Sequence, residues 1–428
     1  MAYRASAARQ YGDNKVQVDR INFIGVNRTK NDALVLESKQ LFLQKTFHDL
    51  VVAAYETKRH MEKVGLFNHL DVFITTNSNQ NFEVQYLVRE PHPKASVNGT
   101  LNNRGEAGMS VNGSIGTAFG RGEVFSTEAS FGHQHSSSFI LGFTKPLLRI
   151  RDATLGFHLF RSFAEYPWTG ICQLENGLSS MWRFELGENF AHELKWLGSW
   201  RQTECLSRTT PFAVREHSGH SIKSSIINSL KYSTLDSALL PTRGLSAIFS
   251  HEIAGVGGDA RYMRYEGDFR ASTKLPLGFI LSLATNAGYV VPRGGRTINI
   301  LDRLYLGGPT NLRGFTHHGV GPSSDGMSLG GIGSFCAAVH LYRPLIPKHI
   351  VFAHLFATAG NLCSMANYQA VDVVRGLLNQ PRCSLGVGLV FKISEIARLE
   401  LNYCWPFTNH VTDRVQPGFQ FGVGVSFL

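Results

Sequence analysis

The chain has no hydrophobic run long enough to cross a membrane as a helix. Such a helix needs about 18 or more apolar residues in succession, and none is present although 43% of the 428 residues are hydrophobic. Strands of a transmembrane barrel alternate apolar and polar residues, which averages their hydropathy to zero. The absence therefore excludes helical spans and leaves a barrel open.

Familiar catalytic and cofactor-binding motifs are also missing. The sequence contains no GxSxG, no HExxH, no phosphate-binding P-loop and no suggestively spaced pair of carboxylates. His133 and His135 could ligate a metal from one strand face, but a strand-end or turn position explains them more simply. The neighbouring His317 and His318 are interpreted as loop polarity. We expect no enzyme activity, no cofactor and no metal.

Cysteine and charge patterns exclude two further classes. None of the six cysteines forms a CxxC pair, so a zinc site is not expected; Cys363 and Cys383 could bridge one loop, with free thiols as the simpler alternative. The net charge is +10, but Lys and Arg do not cluster with stacking aromatics as nucleic-acid binding requires. We predict a basic solvated surface and no nucleic-acid partner.

The first 92 residues differ from the rest in their pattern of apolar and polar residues. Residues 1–15 begin with "MAYRASAARQ", which holds no acidic residue and only weakly resembles a transit peptide; we predict a flexible tail. Residues 16–92 predict a small domain of order β-α-α-β-β. Thr29 is the expected N-cap of its first helix, and Gly65 closes the second. Pro91 and Pro93 mark the boundary to a second domain over 93–428.

Beyond Pro93 the sequence alternates with period two. In "FQFGVGVSFL" the apolar positions run from Phe419 to Phe427, and in "RLELNYCW" from Leu399 to Trp405. The other face is rich in Gly, Ser and Asn, which favours the polar interior of a barrel over a soluble sandwich. Counting gives about 16 strands. They begin near 94, 107, 122, 137, 152, 175, 190, 221, 243, 262, 279, 331, 350, 384, 396 and 417.

The connections are unequal on the two sides of this sheet. Long links are predicted at 164–174, 206–220, 292–330 and 363–382, whereas links after even-numbered strands are mostly short. Long loops on one side and tight turns on the other are typical of a transmembrane barrel. We therefore predict a mainly β protein, a 16-stranded antiparallel transmembrane barrel with one N-terminal α/β domain. The longest link carries "LYLGGPTNLRGF", from Leu304 to Phe315.

These features together resemble the BamA superfamily (surface-antigen superfamily) of barrel-assembly proteins. The N-terminal unit is similar to its POTRA domain, and Arg-Gly-Phe falls in the sixth long-side loop, as in that family. The stretches "DRLYLGGPTNLRGF", "AGNLC", "IARLELNYC", "CLSRT" and "SGHSIKSS" resemble one branch in particular, the central barrel subunits of the mitochondrial sorting and assembly machinery. The likeness extends from about residue 16 to the end.

The resemblance implies that the sixth loop folds back into the barrel and that its arginine contacts the inner wall. Arg313 would then pair with an inward-facing acid through bidentate, charge-assisted bonds. Glu252 and Glu400 both fall on inward positions, and the sequence does not choose between them. The glycines would permit a close backbone approach, the proline would stiffen the turn and the phenylalanine would pack on the wall: Gly307, Gly308, Gly314, Pro309 and Phe315.

The last strand carries a pattern that, in this family, marks clients of the machinery. It reads polar, any, Gly, any two, apolar, any, apolar. One copy is Gln416, Gly418, Phe421 and Val423, and an overlapping copy is Gln420, Gly422, Val425 and Phe427. The pattern is loose, since any glycine-containing barrel strand can match it.

The implied function is insertion of β-barrel precursors into the mitochondrial outer membrane, with the POTRA-like domain in the intermembrane space. Client strands would pair at the seam, defined as the junction of the first and last barrel strands. Implied partners are the lipid bilayer, barrel precursors, metaxin-like subunits and the cristae-organising complex. The alternative is a polypeptide-translocating or passive channel of the same superfamily. A weak seam favours insertion; a firm seam around an unplugged interior favours the channel.

Overall fold

The structure is a computed structural model that describes residues 15–76, 81–101, 106–148, 152–295, 297–345, 350–364, 369–393, 397–424 and 427–428. The tail predicted over 1–15 therefore lies outside the described residues apart from Lys15. Two compact units are present. The first holds the residues up to Ser96 with Val111–Glu128 and Ile140–His158, and the second holds Val97–Ser110, Ala129–Phe139 and Leu159–Leu428. The domain boundary expected near residue 92 stays a prediction.

The N-terminal region has the expected β-α-α-β-β order. Its elements are β1 Val18–Ile24, α1 Asn31–Ser38, a 3₁₀ turn Lys39–Leu43, α2 Phe47–Val64, β2 His69–Thr76 and β3 Phe82–Arg89. The strands form a sheet in the order β1-β3-β2, with β1 parallel to β3 and β2 antiparallel to it.

Helix α2 ends at the predicted Gly65 and begins at a capping threonine, Thr46. The Thr46 hydroxyl accepts a hydrogen bond from the Asp49 backbone N–H at the N-terminus, and Gly65 takes the left-handed conformation, φ 80°, that ends the helix. Leu50, Ala54 and Met61 are fully buried on its inner face.

The N-cap expected for α1 was wrong. Lys30, not Thr29, occupies the cap position, and its side chain makes no capping bond. The Thr29 hydroxyl instead donates to Glu90 at the end of β3, 2.8 Å away. A carboxylate that collects several donors holds this hydroxyl more firmly than a helix end would.

Sixteen further strands form one sheet, in the order β21-β20-β19-β18-β17-β14-β13-β12-β11-β10-β9-β8-β7-β6-β5-β4. The strands are β4 Lys94–Leu101, β5 Ala107–Gly116, β6 Val124–Gly132, β7 Ser137–Pro146, β8 Ala153–Tyr166, β9 Ile171–Leu186, β10 Phe190–Cys205, β11 Gly219–Ser233, β12 Gly244–Gly258, β13 Tyr262–Lys274, β14 Ile280–Pro292, β17 Gly333–Pro344, β18 Val351–Cys363, β19 Arg382–Ile393, β20 Ala397–Thr408 and β21 Gly418–Gly424.

The smaller elements lie in the connections of this sheet. A two-stranded hairpin, β15 Ser323–Ser324 and β16 Met327–Ser328, sits in the link 293–332, which also holds a 3₁₀ turn, Ile300–Asp302. Helices α3 Phe212–Arg215 and α4 Ala370–Leu378 lie in the links 206–218 and 364–381, and another 3₁₀ turn spans Pro276–Gly278. In the part of the chain that the structure describes, no helix combines the length and apolar character needed to cross a membrane.

The predicted mainly β fold with a sixteen-stranded antiparallel sheet is confirmed. The largest offset in a strand start is at Ile171, which the pattern placed at 175. That offset also explains one wrong link. The long link expected at 164–174 is only the turn 167–170, because β8 and β9 run to 14 and 16 residues.

The two faces of the sheet have opposite character. Large apolar side chains such as Trp182, Trp405 and Phe419 are exposed on the outer face. The inner face, defined as the one that the link 293–332 covers, buries polar residues. Link residues then supply seven of the thirteen buried residues in the largest apolar cluster of the second unit: Ile298, Leu304, Leu306, Leu312, Phe315, Val320 and Ile332.

Candidate functional site

The link 293–332 brings Arg313 into the interior of the second unit. Arg313 is 0% exposed, the largest fully buried side chain among the described residues. Its Nη2 donates to Glu400 Oε2 at 2.9 Å, and its Nε donates to the same oxygen at 3.2 Å. Both of these donors bond the same carboxylate oxygen, whereas the predicted bidentate pairing would use one donor for each oxygen.

Glu400 on β20 is the acid that the structure selects. Its second oxygen, Oε1, lies 2.7 Å from Arg398 Nη2, and Asn402 donates to Oε2 at 2.9 Å. The carboxylate is thus shared by two guanidiniums and an amide. Glu252, the other candidate, pairs with Lys223 at 2.7 Å on a different part of the sheet.

Burial and charge act in opposite directions on Arg313. Burial alone would lower the pKa of the guanidinium, but the charge of Glu400 outweighs it and the pKa is raised above its ordinary value. The Arg313 guanidinium therefore stays charged. Since an isolated buried charge is very costly, the pair holds together as a unit.

Two glycines let the loop backbone approach its neighbours. Gly307 has φ 110°, and a Cβ there would lie 2.7 Å from the Thr316 carbonyl oxygen. Gly314 has φ 86°, and a Cβ there would lie 2.8 Å from Ser384 Oγ. A side chain at either position would meet both a strained backbone and a close contact.

Gln420 on β21 holds the loop backbone next to Arg313. Its Oε1 accepts from the Gly314 N–H at 2.9 Å, and its Nε2 donates to the Phe315 carbonyl at 2.9 Å. Sequence reasoning placed Gln420 in a client pattern and missed this contact. Its inward position in the alternation was the only available signal.

The other loop residues make the kinds of contact that the sequence analysis expected. Phe315 is fully buried in the interior cluster. Pro309 lies against Gly422 of β21, where an added Cβ would come 3.1 Å from the proline ring. Gly308 also takes a positive φ, 126°. The tip of the loop therefore rests on the inner face of the last strand.

The last strand departs from the predicted alternation. Strand β21 ends at Gly424, and Phe427 is buried instead of lying on the outer face with Phe421. The Phe427 ring packs near Gly422 and stacks 4.2 Å from the Arg398 guanidinium. Attraction between the cation and the ring favours this inward turn.

The two copies of the client pattern are therefore placed differently. Gly418, Phe421 and Val423 lie on β21, and Gln416 precedes it. In the second copy, Gln420 and Gly422 face inward, Phe427 has left the strand, and Val425 lies outside the described residues. The carbonyl oxygen of Leu428 accepts from Arg313 Nη1 at 3.1 Å. The role of the pattern stays a prediction.

A second buried charge cluster was not foreseen. Asp302, at the start of the same link, accepts from Arg201 at 3.0 Å and from the Tyr262 hydroxyl at 3.1 Å. Lys223 lies 3.7 Å away. Burial would raise the pKa of Asp302, but Arg201 and Lys223 outweigh it and lower the pKa to about 2. The link is thus fixed to β10, β11 and β13 as well as to β20 and β21.

The remaining candidate ligands are accounted for by ordinary contacts. All six cysteines are free thiols, including Cys363 and Cys383. His135 lies 3.5 Å from Glu165, the His317 ring meets Trp168 edge-on, and the His318 ring packs against Trp168 at a tilt. Among the described residues no group of three or more His, Cys, Asp or Glu side chains could hold a metal ion.

Comparison with known proteins gives the family. Residues 118–427 match the Omp85 superfamily domain. The chain is 33% identical to sorting and assembly machinery component 50 homolog B of Xenopus laevis, over 97% of this chain and 92% of that one. It is 32% identical to the Homo sapiens homolog, over 99% and 93% of the two chains.

Solved structures support the same fold. The crystal structure of BamA from Haemophilus ducreyi lacking POTRA domains 1–3 superposes with a TM-score of 0.78 at 19% identity, over 95% of this chain and 84% of that one. CdiB from Acinetobacter baumannii gives a TM-score of 0.54 at 11% identity, over 96% and 74%. The chain belongs to the Omp85 superfamily and, within it, to the sorting and assembly machinery component 50 family.

Proposed function

We propose that this protein folds β-barrel precursors and inserts them into the mitochondrial outer membrane, with client strands pairing at the seam between β4 and β21. The carrying observation is the strand order, in which these two are the terminal strands of one sixteen-stranded sheet. Family membership supports the assembly role. The N-terminal α/β region would face the intermembrane space.

The physics of strand edges supports exchange at this seam. In lipid, an unpaired edge leaves N–H and C=O groups without partners, at a cost of several kcal/mol each. Pairing of β4 with β21 would avoid this cost, and opening that seam for a client would replace one set of hydrogen bonds by another. Because the exchange is nearly balanced, it needs no nucleotide.

The lengths of the terminal strands support a labile seam. Within the described residues, strand β21 has 7 residues and its neighbour β20 has 12. Strand β4 has 8 residues and is mostly polar or small. Fewer paired residues and weak strand formers lower the free energy needed to open the junction.

The channel alternative is less well supported. A channel requires an open interior, whereas the described inner face is packed with apolar side chains of the link 293–332, including Leu312 and Phe315. Metaxin-like subunits and the cristae-organising complex remain proposed partners, as does docking of clients on the edge strands β1 and β2 of the N-terminal sheet.

Site-directed cross-linking tests the seam directly. Cysteines replace Val97 on β4 and Phe421 on β21, and a third is placed in the last strand of a barrel client. The half-exposed native cysteines are first changed to serine: Cys172, Cys205, Cys363 and Cys383. We expect the 97–421 link to decline and a client–97 link to appear during insertion.

The matched control is a cysteine pair at Leu401 and Phe421, which face each other in the β20–β21 ladder. This link should stay constant with and without client. If clients insert normally while the 97–421 link is held closed, strand exchange at the seam is excluded and the channel function gains.

A further inference from the structure

A groove with a volume of about 450 Å³ lies on the outer face of β17–β20. Its walls are the apolar side chains Leu341, Leu355, Val387, Leu389, Leu401 and Tyr403. The site around Arg313 and Glu400 does not use these residues, because they point away from the inner face that carries that pair.

The strand register creates the groove. Arg343, Ala353, Leu389 and Leu401 are successive cross-strand neighbours from β17 to β20. Ala353 is the one small side chain in this row. The next row contains Leu341, Leu355, Val387 and Tyr403, all large. The missing bulk at position 353 therefore opens a depression beside Arg343.

Arg343 supplies the only charge among the groove residues, counting those that the structure describes. It lies on the outer face near the end of β17, and its guanidinium sits 5.2 Å from the Phe279 ring centre. No described carboxylate lies within ion-pair distance of it. In a membrane sheet, a cation and an aromatic ring at a strand end lie at the level of the lipid headgroups.

The backbone around the groove excludes a strand as occupant. The ladders β17–β18, β18–β19 and β19–β20 are continuous past the groove residues. Their N–H and C=O groups are already paired, so a client segment would find no edge to extend. An apolar depression with one cation at its mouth instead complements a hydrocarbon chain with an anionic end.

We propose that this groove is a glycerophospholipid site. One acyl chain lies along the depression over Ala353, and the phosphate receives hydrogen bonds from the Arg343 guanidinium, whose planar fork matches phosphate oxygens. Phe279 holds the guanidinium in place by cation–π contact. The inference rests on the proposed membrane location and goes beyond the proposed insertion activity.

Lipid titration of the whole protein tests the site. Delipidated full-length chain in detergent is titrated with dioleoylphosphatidylglycerol, and the bound lipid is counted by native mass spectrometry. Wild type should bind one lipid saturably. Arg343→Ala should weaken this binding about fivefold, Arg343→Lys should restore part of it, and Ala353→Leu should abolish it by filling the groove.

Matched controls separate the groove from the general lipid-facing surface. Lys145→Ala removes an outward cation at the end of β7, and Ala337→Leu enlarges an outward alanine of β17 outside the groove; both should bind as wild type. Diolein, which lacks phosphate, should bind wild type and Arg343→Ala equally weakly, and glycerol phosphate should not compete.

Three outcomes would overturn the proposal. Equal binding to wild type, Arg343→Ala and Ala353→Leu means an exchangeable surface lipid. Competition by glycerol phosphate means an anion site without chain recognition. Loss of a copurifying protein in Ala353→Leu with lipid binding intact means a protein interface. Seam cross-linking in the same variants reports the insertion mechanism separately, so failure of one proposal is distinguishable from failure of the other.

Discussion

In the N-terminal region the fully buried side chains include Leu50, Met61 and Leu70, whereas in the sheet region they include Arg313, Glu400 and Asn402. The large apolar side chains of the sheet, such as Trp405, are exposed instead. Water surrounds the first region and lipid surrounds the second. The kind of side chain that must be buried is therefore reversed between them. An interior of apolar groups needs only shape, but an interior of polar groups needs every partner present.

The largest expected effect comes from removing one partner of the polar interior. Arg313→Ala removes one of the two guanidiniums that share Glu400, leaves Arg398 as the other, and should destabilise the folded sheet by about 3–5 kcal/mol. Arg313→Lys keeps the charge but loses the fork, so it should fall between wild type and alanine. The urea midpoint in micelles, followed by tryptophan fluorescence, measures both.

Arg208→Ala, an exposed arginine of the link 206–218, is the matched control and should leave the midpoint unchanged. If the Arg313→Ala and Arg208→Ala proteins unfold at the same urea midpoint, the buried pair contributes nothing to the stability of the sheet. Loss of client insertion without loss of stability would assign Arg313 to function alone.

The apolar interior should respond to lost volume. Leu50→Ala in α2 leaves a cavity and should destabilise the N-terminal region by about 3 kcal/mol. Phe419→Ala, at a side chain 72% exposed on the sheet, should cost far less. Hydrogen exchange of the full chain, read separately for α2 and for β20–β21, measures each effect where it occurs. Equal losses would contradict the contrast between the two regions.

Glu90 is a polar exception in the apolar region, and it carries a pH dependence. Burial would raise the pKa of its carboxyl, but hydrogen bonds from Asn27, Arg28 and Thr29 outweigh it and lower the pKa from 4.5 to about 2. The stabilisation is therefore fully present above pH 4.5 and is lost as the pH falls toward the folded-state pKa.

Glu90→Gln should cost about 2 kcal/mol at neutral pH and should flatten the acid sensitivity of the N-terminal region. Hydrogen exchange of α1 and β3 at neutral and acidic pH detects both changes. Glu56→Gln, an exposed carboxylate of α2, serves as the reference. If Glu90→Gln leaves the acid sensitivity of the N-terminal region unchanged, this carboxylate is not its cause.

The smallest effect is expected at an exposed ion pair of the same chemistry. Arg121 lies 2.6 Å from Asp32, and both side chains are open to solvent. Solvent screens such a pair, so Arg121→Ala should leave the unfolding midpoint unchanged at any salt concentration. A shift comparable to that of Arg313→Ala would mean that burial is not what separates the two pairs.

Periodicity predicted the strands well because the outer face of the sheet must be apolar at every second residue. The starts at Lys94, Ala107 and Phe190 follow directly from it. The same rule carried β21 past Gly424 to Phe427, where the strand has ended. Alternation reflects only the order of apolar and polar side chains. It does not predict that the buried Arg398 guanidinium attracts the Phe427 ring.

Pairing across the interior was beyond the sequence. Glu252 and Glu400 share the inward parity, so periodicity could not choose Arg313's partner. The choice depends on where the link 293–332 lies on the inner face, and contacts such as Gln420 to Gly314 set that position. Asp302 went unnoticed because a single acid in a long loop has no pattern around it.

The distance along the chain between Arg313 and its partners imposes an order on folding. Glu400 lies 87 residues beyond Arg313, and Leu428 lies 115 beyond. Contacts this remote form only after loop closure across strands β17–β20, and across β21 as well for Leu428. In a chain made from its N-terminus, the arginine is present long before β20 exists. Its pairing therefore reports that the last strands are present, and a chain interrupted before residue 400 lacks the contacts that fix its longest loop to β20 and β21.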